Sequence, residues 1–211
     1  YLPISAEHFK GELPPIQDAE LMQNFGDFLT QKMYTNNTSN AVIAYHGYLA
    51  GYELLAEAAN SPEVSALLDE VYEEINQTLV AELHVDPQQQ KAFAEKARAK
   101  YTDWTIVDRV IRHGKDPLRK LGAQDRLIAP ARMALNHGVH PRVIIETIAK
   151  ALFFDEESDA SARKLKAMRR EHGIPYVLQT VCELNEQEPL YREVLKAVER
   201  ICKEGMVKGH E

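Results

Sequence analysis

Ser61-Pro-Glu-Val-Ser-Ala-Leu-Leu-Asp-Glu-Val-Tyr-Glu-Glu-Ile75 is the stretch from which the fold is read. Ser61 is a hydroxyl N-cap, Pro62 fits a first helical turn where its missing N–H costs nothing, and Glu63 sets an acid beside the positive end of the helix dipole. Behind that start, Val64, Leu67, Leu68, Val71 and Ile75 fall on one helical face at the spacing of a buried stripe. The same grammar repeats in both directions. Asp86-Pro87 opens another helix, and further helices are predicted over about 103–113, 124–137, 141–153, 158–172, 175–184 and 189–204. Gly114, Gly138, Gly173 and Gly205 stand where C-terminal stops belong. Upstream, helices are predicted from Asp18 to about Lys32 and from about Tyr34 to Ala59. Residues 1–17, with Pro3, Pro14 and Pro15, read as an extended arm. No stretch sustains two-residue alternation with β-branched side chains, so no sheet is expected. The expectation is an all-α fold: one multi-helical domain over 18–211 behind an extended N-terminal arm at 1–17.

Bulk properties remove several function classes. The chain has 211 residues, 45% hydrophobic and 27% charged, enough to bury a core. With 25 Lys and Arg against 32 Asp and Glu, its formal charge is −7, which argues against nucleic acid or an acidic membrane as the general partner. No apolar run reaches the ~20 residues that span a bilayer, and the first residues lack the order of a signal peptide. Cys182 and Cys202 have no metal-type spacing and read as thiols in a reducing compartment, which places the protein in the cytoplasm. Asn-x-Ser/Thr matches at Asn36, Asn37 and Asn76 then carry no glycan. His137 and His140 lack a third ligand, so no metal site is expected. No G-x-G-x-x-G and no P-loop occurs, so nothing in the sequence cradles a pyrophosphate.

Charge is nonetheless uneven. Arg109, Arg112, Lys115, Arg119, Lys120, Arg126 and Arg132 face only Asp116 and Asp125 in the same stretch, a net +5 in a chain of −7. Such an island is a candidate site for a phosphate or a carboxylate, and equally a solvated face.

A second constellation opens the longest predicted helix: Lys32-Met-Tyr-Thr-Asn-Asn37-Thr-Ser-Asn40. In a continuous helix, residues i, i+5 and i+8 lie within an arc of about 140° at ~100° per residue. Lys32, Asn37 and Asn40 could then face one pocket. A buried lysine can accept and return an alcohol proton, and an amide can donate to a developing oxyanion. Spacing alone fits better with a lysine at a helix end and two helix-capping or loop asparagines.

The same residues resemble the polyol-specific long-chain dehydrogenases, the mannitol dehydrogenase family, and within it the members that act on mannitol 1-phosphate. Phe9-Lys-Gly11 and the Pro-containing arm resemble that family's crossing between domains. Lys32 and Asn37 match its pattern K-x4-N-x2-H, and Ala44-Tyr-His-Gly-Tyr-Leu-Ala-Gly51 is similar to the helix that follows it. The most specific likeness is Asp116-Pro-Leu-Arg-Lys-Leu121 running into Asp125-Arg-Leu-Ile-Ala-Pro-Ala131. The resemblance implies a helical, substrate-binding half whose partner is its own N-terminal Rossmann domain, absent here, which binds most of the NAD. It implies Lys32 as general acid/base and Asn37 as the group polarising the substrate oxygen. It also implies substrate contacts from Asn40, Arg119, Lys120 and Arg126. The expected activity of the parent protein is interconversion of mannitol 1-phosphate and fructose 6-phosphate or a close analogue, with this chain alone inactive. A non-catalytic helical module that binds a phosphorylated sugar or a protein partner is the alternative from another class. A sugar-acid reductase of tagaturonate type is a third. One departure stands out: the third motif position is Asn40 where the family usually has His. Asn does not titrate near neutrality, so any relay through that His is expected to be lost, and His46 lies around the helix from it.

Overall fold

The computed structural model describes residues 2–7, 9–13 and 15–205. Tyr1, His8 and Pro14 of the expected arm, and residues 206–211 of the expected helical domain, lie outside them.

The deciding stretch folds as read. Ser61 Oγ accepts from the Val64 N–H at 3.3 Å, and the long helix α4 runs Pro62–Leu83 until His84 turns left-handed. Val64, Leu68, Val71, Ile75 and Leu79 of α4 are fully buried. Each such side chain contributes about 1.5–3 kcal/mol through removal from water.

Helix α4 packs against the central helix α2, Thr38–Ala50. Every residue of α2 from Thr38 to Gly47 is buried, so this helix has no solvent face through most of its length. Gly47 is required there, because an added Cβ would come within 2.8 Å of Ala58 Cβ on α3 (Leu55–Asn60). Gly51 then ends α2 with a left-handed cap, φ 83°. The single helix expected over Tyr34–Ala59 is therefore broken between α2 and α3. Around α2 stand α3, α4, α6 (Val110–Gly114) and α9 (Arg142–Ala151), with the amphipathic α11 (Pro189–Lys203) laid against α9. Gly114 closes α6 directly on the Phe154 ring, which also meets Tyr45 of α2 edge-on.

Three further expectations are corrected. Residues expected to be helical from Asp18 form strand β2 (Ala19–Met22), and α1 starts only at Phe25 and ends at Lys32. β2 pairs in parallel with β1 (Leu2–Ser5) in the arm, Leu2 opposite Ala19, so one small sheet exists where none was expected. Four-residue strands are too short to show an alternation. Secondly, the helix expected over 103–113 is a loop followed by the short α6. Asp103 Oδ1 accepts from both the backbone N–H and the hydroxyl of Thr105, at 2.8 and 2.7 Å, and this local turn ends α5 (Pro87–Thr102). Thirdly, the helix expected from 124 begins later, as α8 (Ile128–Asn136), behind a one-turn α7 (Pro117–Lys120). The break expected at Gly173 is present: φ 82° and ψ 170° interrupt α10 (Ala160–Thr180). The fold is thus helical throughout, with one minor two-stranded sheet.

No helix among the described residues is long and apolar enough to cross a membrane. Cys182 is buried, Cys202 half-buried, and both are free thiols.

Candidate active site

The chain passes from α1 to α2 without leaving the helix, but Met33–Asn37 forms a π turn. Hydrogen bonding from i to i+5 widens the turn and brings Asn37 closer to the face of Lys32 than an α-helix would. Side chains from elsewhere hold this expanded turn. Tyr101 of α5 donates its hydroxyl to the Asn36 carbonyl at 2.8 Å, and Ser39 Oγ donates to the Thr35 carbonyl at 2.7 Å. Gln90 Nε2, buried on α5, donates to Thr35 Oγ1 at 3.1 Å. Thr38 Oγ1 reaches across to the Arg126 carbonyl at 2.7 Å. The π turn is therefore clamped to α5 on one side and to the segment before α8 on the other.

A second seam is made by backbone pairing far apart in sequence. Leu54 and Arg109 form an isolated antiparallel bridge. The Leu55 N–H donates to the Asp108 carbonyl and the Val110 N–H to the Glu53 carbonyl, each at 2.9 Å. This pairing docks the start of α6 against the α2–α3 corner. It brings His113 to Asn40, with Asn40 Nδ2 2.9 Å and Oδ1 3.1 Å from His113 Nδ1. On its other side His113 Nε2 lies 2.6 Å from Asp108 Oδ2, which Arg112 also meets at 2.6 Å. Partial burial alone would raise the Asp108 carboxyl, but hydrogen bonds from Arg112 and His113 outweigh it and hold it below the usual carboxylate range.

These two seams enclose an open cavity of about 400 Å³ lined by Asn37, Asn40, Arg126, His113, Asp108 and Arg112, with Lys100, Tyr101, Leu55 and Ile106 completing the wall. The lining combines amides, an imidazole, a phenol and several cations. That chemistry suits a polyhydroxy ligand carrying an anion.

Of the residues singled out in the sequence, Asn37, Asn40 and Arg126 meet in this cavity. Asn37 Nδ2 lies 3.0 Å from Met33 Sδ, one turn back. Lys32 ends α1 exposed, one π turn before Asn37, and is not among the lining residues. Arg119 is exposed and paired, with Nε on Asp116 at 2.7 Å and Nη1 on Asp125 at 3.0 Å. Arg126 Nε takes the other oxygen of Asp125 at 2.7 Å. Burial tends to raise Asp125, yet the hydrogen bonds and charge of Arg126, with the charge of Arg119, keep it below the usual range. Lys120 is buried behind the cavity. It donates to the His113 carbonyl and sits 6.0 Å from the Tyr45 ring centre. Burial, and then the charges of Arg126 and Arg119, lower its pKa to about 8. The basic island is thus partly neutralised, by Asp116 and Asp125 within it and from outside it by Asp108 and by Glu188, onto which Arg132 forks at 2.9 and 3.0 Å.

The family description "Mannitol dehydrogenase C-terminal domain" matches residues 24–206. The chain belongs to this family. The mannitol-1-phosphate 5-dehydrogenase of Bacillus pumilus is 34% identical over 192 residues, covering 91% of this chain and 50% of that protein. That of Bacillus subtilis is 34% identical over 193 residues, covering 92% and 51%. The chain therefore spans about half the length of the relatives it matches. Among solved structures, D-sorbitol dehydrogenase in substrate-free form superposes with a TM-score of 0.76 at 14% identity, covering 97% of this chain and 45% of that one. The Pseudomonas fluorescens mannitol 2-dehydrogenase ternary complex with NAD and D-mannitol gives 0.65 at 15% identity, covering 89% and 41%. At those identities the two structures bear on the fold alone, which is the helical half of the mannitol dehydrogenase architecture.

Sequence reasoning missed Asp108, His113, Lys100 and Tyr101 as members of one wall. Asp108 and His113 stand five apart, one before and one within α6. The signal that joins them to Asn40 is the Leu54–Arg109 pairing, which has no local sequence mark.

Proposed function

We propose that this mannitol dehydrogenase C-terminal domain is the substrate-binding and catalytic-lysine half of an NAD-dependent polyol-phosphate oxidoreductase. The reaction would interconvert mannitol 1-phosphate and fructose 6-phosphate, or a close analogue. One observation carries the reading. In a chain of this family, Asn37, Asn40 and Arg126, separated by up to 89 positions, line one cavity beside the π turn that follows Lys32. π turns inside α-helices recur at functional sites, where an extra residue redirects side chains.

In this reading Lys32 takes the proton from the substrate hydroxyl during oxidation and returns it during reduction. Asn37 donates to the substrate oxygen as charge develops there. Arg126, with Arg112 and Lys100, faces the substrate's anionic group. No glycine-rich turn among the described residues could cradle a dinucleotide, so this half alone does not fit NAD. The cofactor, whose chemistry is hydride transfer, belongs to a Rossmann domain elsewhere in the protein. Lys32 is exposed in this half, and docking of that domain over the cavity mouth would desolvate it.

The test is kinetic. The full-length protein is expected to oxidise mannitol 1-phosphate with NAD, and Lys32→Ala to lower kcat by at least ~10²-fold with the fold intact. Near-wild-type turnover in that variant removes the role given to Lys32. The 211-residue chain by itself is expected to show no turnover with NADH and fructose 6-phosphate. Activity there would overturn the half-enzyme reading. Because Arg126 would accept a carboxylate as readily as a phosphate, the ratio of kcat/KM for a sugar acid to that for the sugar phosphate decides between the two substrate classes. A second reading, a non-catalytic sugar-phosphate-binding module, is favoured by the exposure of Lys32. Saturable binding without turnover in the full-length protein would establish it.

A further inference from the structure

Asn40 and His113 share one wall of the cavity, and their contact is two-sided. Both amide atoms of Asn40 reach His113 Nδ1, Nδ2 at 2.9 Å and Oδ1 at 3.1 Å. The other ring nitrogen, Nε2, is 2.6 Å from Asp108 Oδ2. Asp108 is ionised at neutral pH and can only accept, so Nε2 carries the ring's proton in the neutral form. Nδ1 then offers a lone pair and accepts from the Asn40 amide NH₂. That leaves Asn40 Oδ1 as an acceptor for the cavity. When the imidazole takes a second proton, Nδ1–H donates to Asn40 Oδ1, and the amide NH₂ becomes the group free to face the cavity. Because both amide atoms already lie within hydrogen-bonding distance of Nδ1, the second arrangement needs only a small tilt of the amide.

We propose that His113 is a positioning residue that sets the hydrogen-bonding polarity of Asn40 toward the substrate. With neutral His113, Asn40 accepts from a substrate hydroxyl and favours the polyol. With protonated His113, Asn40 donates to a substrate oxygen and favours the ketose. The ionisable group missing from position 40 of the motif is thereby supplied through space from α6. The identity of the ligand rests on the polyol-dehydrogenase reading above, whereas the coupling between His113 and Asn40 does not. The charged and titratable groups facing His113 are Asp108 just before α6, Arg112 on α6, Lys100 and Tyr101 from the end of α5, and Arg126 from the segment before α8. Lys120 of α7 donates to the His113 carbonyl and fixes the ring's backbone.

The experiment has two arms, both on the full-length protein. In long-range proton–nitrogen spectra, His113 is expected as the Nε2–H tautomer, and the Asn40 side-chain amide signals are expected to shift as His113 titrates. A Nδ1–H tautomer, or Asn40 signals that stay fixed through the titration, overturns the proposal. In steady-state kinetics with NAD or NADH, KM for mannitol 1-phosphate is expected to rise about tenfold as pH falls through the His113 titration. KM for fructose 6-phosphate is expected to fall over the same range, while the pH trend that Lys32 imposes on kcat is the same in the wild type and in the His113 variants. His113→Phe is expected to flatten both profiles; His113→Gln, closer in size and unable to titrate, serves the same end if Phe destabilises the protein. Opposed KM trends that persist in a folded variant overturn the proposal. Absence of turnover in the wild type would instead sink the functional reading, and the spectra would still decide the coupling.

Discussion

Helix α2 has a histidine and a carboxylate on each of two sides, and the two sides treat them oppositely. On the core side His46 is almost wholly buried, with Nε2 3.2 Å from Thr147 Oγ1 and Nδ1 3.9 Å from Glu146. Burial, and then the charges of Lys150 and Arg142, push its pKa well below 6.5, so it is neutral. Also buried, Glu74 of α4 caps the start of α9, accepting from the Val143 and Ile144 N–H groups at 2.7 and 3.4 Å. Burial outweighs those bonds and pushes Glu74 up to about 7. On the cavity side, Asp108 has Arg112 and His113 in contact and stays charged. The lesson is that burial which outweighs the available counter-charge and hydrogen bonds favours the neutral form of an ionisable group, while pairing with opposite charge beside open solvent preserves the charged form.

The largest effect that tests this contrast is on stability. Glu74→Ala leaves the Val143 N–H buried without an acceptor, an expected loss of about 1–3 kcal/mol. Asp108→Ala removes half-exposed ion pairs and is expected to cost under ~1 kcal/mol, while changing substrate affinity. Urea denaturation of both variants checks this, and equal losses would break the comparison.

A smaller effect separates the core groups by pH. Glu74 has a folded pKa of about 7 against an ordinary 4.5, so the folded state binds the extra proton in between. Its contribution is full below pH 4.5 and is lost as pH rises toward 7, on the order of 1–3 kcal/mol. His46 runs the other way. Its folded pKa is depressed, so its contribution is full above 6.5 and is lost as pH falls below that. Across the shared window the two oppose each other, and the wild-type profile is expected to be shallow. His46→Gln should then leave stability falling from pH 4.5 to 7, and Glu74→Gln should leave it rising over the same range. Parallel slopes in the two variants would refute the assignment.

The helical half of this architecture was legible wherever a local cap met a long apolar period. Ser61-Pro62 before α4, Asp86 accepting from Gln88 and Gln89 before α5, and Gly173 inside α10 are such places. It was illegible where an element was short or held from afar. Four-residue strands carry no period, and apolar Ile106, Val107 and Val110 imitate a helix that the Asp103 turn prevents. For the site, the Lys32–Asn40 spacing pointed to one end of the cavity, but a count of charges in 109–132 did not see where the arginines were spent. Asp108 lies one residue outside that window and Glu188 lies 56 positions from Arg132, yet each binds one of its arginines. The π turn was equally hidden, because its clamps, Tyr101 and Gln90, belong to α5.

The smallest predicted effects come from the two arginines that share Asp125. They look alike in sequence, and both lie within the family-like stretch 116–131. Arg126 lines the cavity with its side chain 12% exposed, while Arg119 is 51% exposed and turned onto Asp116 and Asp125. A charge-assisted contact from a shielded guanidinium is strong, so Arg126→Ala is expected to weaken sugar-phosphate binding about tenfold. Arg119 interacts through screened surface pairs, worth at most ~1 kcal/mol to stability. Arg119→Ala is therefore expected to shift the same affinity by no more than about twofold, through long-range charge alone. Titration calorimetry with mannitol 1-phosphate, repeated at raised salt, sharpens the distinction. Most of the Arg126 difference should persist and the Arg119 difference should vanish. Equal losses from both substitutions would mean that the anion lies over Asp125, outside the cavity, with Arg119 swung away from its carboxylates to meet it.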